Sequence, residues 1–178
     1  DECEKVVVPF NSRSQCRKAK ARDSMVPYNC IESSLKINVN TLARMVKKMS
    51  ELITYESNER IALITINRPE KMNALSNDLV AALRDAFIQY RDSDDQCAVL
   101  TSSGDKAFSV GADIKDPPTD PDLWECMPGV GVIIDKPVIA AVAGYCVGGA
   151  YCLVQFCDLA IAAENTDFFY PEAQMGFC

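Results

Sequence analysis

The chain has 178 residues, 48% of them apolar and 24% charged, which suits one folded domain with a sizeable core. It contains no histidine, which excludes Ser-His-Asp and Cys-His catalysis, HExxH zinc chemistry and any imidazole acid or base. The net charge of −7 argues against a general polyanion binder, so nucleic acid is not the expected partner.

Charge is unevenly placed. Residues 1–50 carry ten Lys/Arg against five Asp/Glu (+5), and residues 51–178 carry eight against twenty (−12). The basic cluster Arg13, Arg17, Lys18, Lys20 and Arg22 reads as a solvated arm, with contact to phosphates or a membrane surface as the alternative. The nine cysteines are odd in number, irregularly spaced and without a CxxC pair, which fits neither a zinc site nor a secreted disulfide framework. Cys146, Cys152 and Cys157 fall in an apolar stretch, where free thiols act as small hydrophobes. An intracellular, reducing compartment is therefore expected, with cytoplasm, mitochondrion and peroxisome all open. No apolar run approaches the roughly 18 residues of a membrane span, and the opening DECEK lacks a secretory apolar core. The absence of an initial Met leaves open that the N-terminus lies upstream.

In chain order, residues 1–35 show no sustained period. Leu42, Met45, Val46, Met49 and Leu52 fall at helical spacing after Asn40, a plausible cap. Residues 1–55 thus read as an N-terminal extension, partly disordered, with one helix. The organised region begins near Tyr55. Ile61–Ile66 is a short, nearly continuous apolar run, as expected of a strand covered on both faces, and Pro69 breaks it. Ser76 can cap a helix with Leu79, Leu83, Phe87 and Tyr90 on its apolar face, ended by the polar run 91–95. Ala98–Thr101 is a second strand, so the segment reads as a right-handed crossover unit and the class as α/β. Pro137–Ala143 and Leu159–Ala163 read as further buried strands, and Gly144–Phe156 as a glycine turn running into an apolar helix.

Two glycine-bearing segments follow strands. In Phe108–Lys115 small residues let a ligand approach main-chain N–H groups. In Gly144–Ala150 a helix starting near Gly148-Gly149 leaves unpaired donors at its first turn. Donors from both, aimed at one point, would form an oxyanion hole, though structural turns explain either segment alone. The spacing Gly-x-x-x-Gly-Gly also fails the dinucleotide fingerprint. In Phe168-Phe-Tyr-Pro-Glu172 a carboxylate follows three aromatics and a proline, which would desolvate it and suit it to proton transfer.

Four segments in this order, ALITINRPEKMNALS, KAFSVGADIK, KPVIAAVAGYCVGGA and FFYPEAQMGF, resemble the enoyl-CoA hydratase/isomerase (crotonase) family over about residues 56–178. The resemblance implies a spiral of ββα units in this core, trimers or pairs of trimers, and an acyl-CoA substrate. Coenzyme A would enter only as part of the substrate, with no metal and no redox cofactor. By motif position the N–H groups of Ala112 and Gly149 would hold the thioester oxygen, and Glu172 would move the proton. Asp113, Ile114 and Lys115 would line the coenzyme path, with Lys106 and Lys115 as phosphate partners. Trp124, Met127 and Phe169 are expected in the acyl wall.

Hydratases of the family use two glutamates. The first of these positions is Cys152, three residues after Gly149, and the second is Glu172. That arrangement resembles the Δ3,Δ2-enoyl-CoA isomerases, so isomerase is preferred to hydratase, with a non-catalytic binding module or inactive fragment as a further alternative. Against the family the chain also looks C-terminally short, lacking the usual C-terminal helices.

Overall fold

The computed structural model describes residues 51–119 and 121–171. The helix expected from Asn40 lies outside them, apart from Glu51 and Leu52, which are helical. Strand β1 (Ile53–Asn58) pairs antiparallel with β2 (Ile61–Ile66), in register from Asn58↔Ile61 to Ile53↔Ile66. Glu59 and Arg60 join them with φ of 50° and 65°. Two left-handed residues in a two-residue loop make the turn that matches the natural twist of a hairpin.

Ser76 caps helix α1 (Asn77–Asp92), its hydroxyl accepting the Leu79 N–H at 3.4 Å. Leu79, Leu83, Phe87 and Tyr90 form the buried stripe, as their spacing predicts. At the far end the Lys136 ammonium donates to the Tyr90 and Ser93 carbonyls, at 2.5 and 3.0 Å, and lies 4.3 Å from the Tyr90 ring centroid. A cation there complements the last carbonyls of the helix, of which the Tyr90 carbonyl also accepts the Ser93 N–H and hydroxyl. The Tyr90 hydroxyl donates to the Pro137 carbonyl at 2.8 Å, and burial pushes its pKa up to about 12.

From here the chain alternates between two sheets. Strands β3 (Cys97–Ser102), β5 (Val138–Val142) and β7 (Leu159–Ala162) extend the first, in the order β1-β2-β3-β5-β7. Strands β4 (Ala107–Ser109), β6 (Tyr145–Val147) and β8 (Asp167–Phe169) form the second, in that order. Helix α2 (Gly149–Gln155) lies between β6 and β7. Every pairing between described strands after the hairpin is parallel. Each winding therefore lays one strand in each sheet before the chain climbs to the next, which gives the spiral of ββα units.

Register decides which side of the large sheet is core. Ile64, Leu100 and Ala140 lie side by side and are fully buried, beneath α1. The neighbouring row Leu63, Val99, Ile139 and Leu159 points the other way. Leu63 is 37% exposed, Ile61 48% and Leu159 63%. The expectation that Ile61–Ile66 is covered on both faces is thus corrected: only one face is. Leu159–Ala162 is likewise exposed throughout rather than buried. A nearly continuous apolar run reports a strand, but the open face shows only in the register.

Candidate active site

The site lies where the loop after β4 meets the turn between β6 and α2. A bulge in the β4–β6 pairing sets the loop's path, since Ala107 and Ser109 oppose the consecutive residues Tyr145 and Cys146. The buried Ser109 hydroxyl then accepts the Gly111 N–H at 3.2 Å, and Gly111 takes φ +83°. A Cβ on Gly111 would stand 2.7 Å from the Val147 carbonyl oxygen and 3.3 Å from the Gly149 nitrogen. Only a bare backbone lets the two segments come this close.

Two hydrogen bonds straddle Ala112. Leu75 N donates to the Gly111 carbonyl at 2.8 Å, and Asp113 N donates to the Leu75 carbonyl at 2.9 Å. In a parallel bridge of this kind the middle residue turns its own N–H away from the partner strand. Ala112 is exposed. On the other segment Gly148, with φ 54° and ψ −121°, turns β6 into α2, and its N–H donates to the Phe169 carbonyl at 3.1 Å. Gly149 follows as the first helical residue. Among the described residues neither the Ala112 N–H nor the Gly149 N–H has an acceptor. Two free donors on segments in backbone contact are suited to an anionic oxygen.

The remaining residues singled out by the sequence divide into two groups. Ile114 is 96% exposed and Lys115 is exposed, both beside the donor loop. Asp113 turns inward: one carboxylate oxygen takes the Lys115 N–H at 2.9 Å and the other the Arg68 guanidinium at 2.7 Å. These bonds, the Lys115 N–H first and Arg68 second, hold its pKa below the ordinary aspartate range. Lys106 is not gathered with them. It precedes β4, at the strand's opposite end from Ala112, in the wall of a hollow of about 200 Å³ lined also by Pro69, Met72 and Asn73. Glu172 lies outside the described residues.

Around the donors, Leu123 presses on Gly149, where a Cβ would meet its Cδ2 at 2.6 Å. Trp124, half exposed, meets Phe156 edge-on at 5.8 Å, and Phe169 meets Tyr145 in the same way at 6.4 Å. Met127 is fully buried in the core, which corrects its expected place in an acyl wall. Cys152 is half-buried, and its sulfur is 3.2 Å from the Tyr170 hydroxyl, which donates to Gln155 Oε1 at 2.8 Å. Neither Arg68 nor Tyr170 stands out in the sequence. A lone Arg in a proline turn carries no period, and the meeting of Tyr170 with Cys152 depends on β8 pairing with β6.

Known proteins resemble the chain in sequence and in fold. The family model for enoyl-CoA hydratase/isomerase matches residues 56–178. A protein of Dictyostelium discoideum named "Probable enoyl-CoA hydratase, mitochondrial" is 36% identical over 133 residues, covering 69% of this chain and 47% of that protein. The (E)-benzylidenesuccinyl-CoA hydratase of Thauera aromatica is 38% identical over 136 residues, covering 69% and 51%. The crystal structure of an enoyl-CoA hydratase from Thermoplasma volcanium superposes with a TM-score of 0.62 at 32% identity, over 73% of this chain and 55% of that one. The chain spans about half the length of the curated relatives it matches. No described helix is long and apolar enough to cross a membrane. With its alternating two-sheet spiral and a family model matched from residue 56 to residue 178, the chain belongs to the enoyl-CoA hydratase/isomerase family.

Proposed function

We propose that the protein is an acyl-CoA isomerase that converts a 3-enoyl thioester into its conjugated 2-enoyl isomer. The observation that carries this is the pair of acceptor-free donors, Ala112 N–H and Gly149 N–H, on two segments in backbone contact. In this reading they hold the thioester oxygen. Glu172 takes the proton from C2, negative charge moves onto the oxygen, and the same carboxyl returns the proton to C4 as the double bond shifts. Each donor contributes about 3 kcal/mol to the enolate-like transition state, and the positioned carboxylate at least about a hundredfold in rate. Only main-chain donors and one carboxylate act, so no step calls for a metal or redox cofactor.

Ile114 and Lys115, exposed beside the donor loop, are proposed to flank the coenzyme. Lys106 is proposed as a phosphate partner from the hollow before β4, and Asp113 is proposed to border the coenzyme path with its carboxylate turned inward to Arg68. Self-association, as trimers by the family resemblance, belongs to the same proposal. So does a reducing compartment, which suits Cys126, Cys146 and Cys157, whose thiols burial pushes up to about 12.

A second reading, hydration of a 2-enoyl-CoA, is favoured by the names of the Dictyostelium and Thauera relatives. The isomerase reading is preferred because Cys152, one helical turn after Gly149, offers a thiol where a second carboxylate would hold water. The test is ultraviolet absorbance of a 3-enoyl-CoA incubated with the chain. Absorbance is expected to rise as conjugation forms, and Glu172→Gln to slow it at least about a hundredfold with coenzyme A affinity retained. Undiminished turnover in that variant overturns the assignment. A flat trace with 3-enoyl-CoA, together with decay of a 2-enoyl-CoA signal, transfers it to hydration.

A further inference from the structure

We propose that the Arg68–Asp113 ion pair is a positioning device that fixes the direction of the Ala112 N–H, and so controls enolate stabilisation rather than coenzyme binding. The proposal rests on the oxyanion-hole reading above. Arg68 Nη1 donates both to Asp113 Oδ2 at 2.7 Å and to the Ala74 carbonyl at 2.9 Å. One guanidinium thereby ties the donor loop to the segment that carries Leu75. Asp113 Oδ1 is occupied by the Lys115 N–H, and the Asp113 N–H by the Leu75 carbonyl. With the Leu75 N–H on the Gly111 carbonyl as well, both peptide units next to Ala112 are held, and its N–H has one direction left.

The anchor is itself anchored. Arg68 N donates to Asn73 Oδ1 at 2.8 Å, while Asn73 Nδ2 donates to the Ser103 and Ala107 carbonyls at 2.9 and 3.0 Å. Asn73 is fully buried and has φ 56°. A continuous chain of bonds thus runs from β4 through Asn73 and Arg68 to Asp113. The Arg68 and Asp113 side chains are only 17% and 13% exposed, against 41% and 61% for the Arg91–Asp92 pair. A mostly desolvated pair adds little net stability, because desolvation offsets the attraction, but it holds geometry stiffly. It also neutralises a carboxylate next to the path proposed for a polyanionic coenzyme. Side chains alternate outward, inward, outward at Ala112, Asp113 and Ile114, so Asp113 faces the protein and not a ligand.

The test uses acetoacetyl-CoA, whose enolate absorbs in the near ultraviolet where the neutral β-ketothioester does not, with a carbonyl-free thioether of coenzyme A as control. The wild-type chain is expected to hold much of the bound probe as enolate. In Arg68→Met and Asp113→Asn the enolate fraction and kcat should both fall about tenfold while thioether affinity is kept. The double variant should be no worse than either single one, and Arg68→Lys should recover part of the loss. Should Arg68→Met fail to fold, Asp113→Asn and Arg68→Lys carry the comparison. Wild-type enolate levels in folded variants, or thioether affinity falling in step with kcat, overturn the proposal. No enolate on the wild-type chain overturns the oxyanion-hole reading itself.

Discussion

Gly111 and Gly149 lie on facing segments, yet their substitution should have different consequences. Gly111 has φ +83°, and an added Cβ meets the Val147 carbonyl oxygen at 2.7 Å, a backbone atom that cannot rotate away. Gly111→Ala should cost about 2 kcal/mol or more, from the left-handed backbone and the forced separation. It should also lower turnover at least about tenfold as the donors move apart. Gly149 is helical, and its Cβ would meet only Leu123 Cδ2, the end of a flexible side chain. There a gain of about 0.8 kcal/mol in helix propensity offsets the rotation of Leu123. Gly149→Ala should leave stability nearly unchanged and act on KM. Chemical denaturation and steady-state kinetics on both variants check this, and equal stability losses would contradict it. The sequence marks both glycine turns as places where a ligand reaches backbone. Which of the two is intolerant depends on what stands opposite, Val147 carbonyl or Leu123 methyl, and local sequence does not carry that.

At the scale of elements, Asp95 joins β1 to the end of α1. Its carboxylate accepts from the Ser57 and Tyr55 hydroxyls, each at 2.6 Å, and from the Ser93 hydroxyl at 3.1 Å. These bonds, Ser57 first and Tyr55 second, lower its pKa below the ordinary aspartate range. The native carboxyl therefore releases its proton more readily than the unfolded one. Its stabilisation is full above the unfolded value of about 3.9 and is lost as pH falls through the lower native value. Asp95→Ala should destabilise the protein by about 2 kcal/mol at pH 7 and flatten the acid limb of its stability curve. Denaturant midpoints from pH 7 down to about pH 3 measure both, and an unchanged acid limb would refute the assignment. The sequence makes α1, β2, β3, β5, α2 and β7 legible, because each is long or apolar enough to show a period. It does not reveal β1, whose ITYESN mixes apolar and polar side chains before a turn without glycine. The second sheet is equally hidden, since strands of three residues are too short to carry any alternation.

Among the described residues, the core lies on one side of the large sheet and an apolar row, with Leu63 and Leu159 exposed, lies on the other. The sequence forecasts apolar strands but not this asymmetry, which arises from registers set between strands far apart in the chain. The same distinction between near and far contacts bears on the order of assembly. Pairs such as Ile61↔Cys97 close long loops, whereas the β1–β2 hairpin closes over two residues. The hairpin is thus the part of the sheet that can nucleate early. Yet its turn places Glu59 and Arg60 in a conformation that favours Asn-Gly. Replacing the pair by Asn-Gly should relieve about 1 kcal/mol of backbone strain and speed refolding about fivefold, with the unfolding rate unchanged. Stopped-flow refolding would show it, and a gain confined to the unfolding limb would mean that the hairpin forms after the barrier. With refolding accelerated as expected, the left-handed turn is a brake on the speed of folding, set at the first strand pair to form.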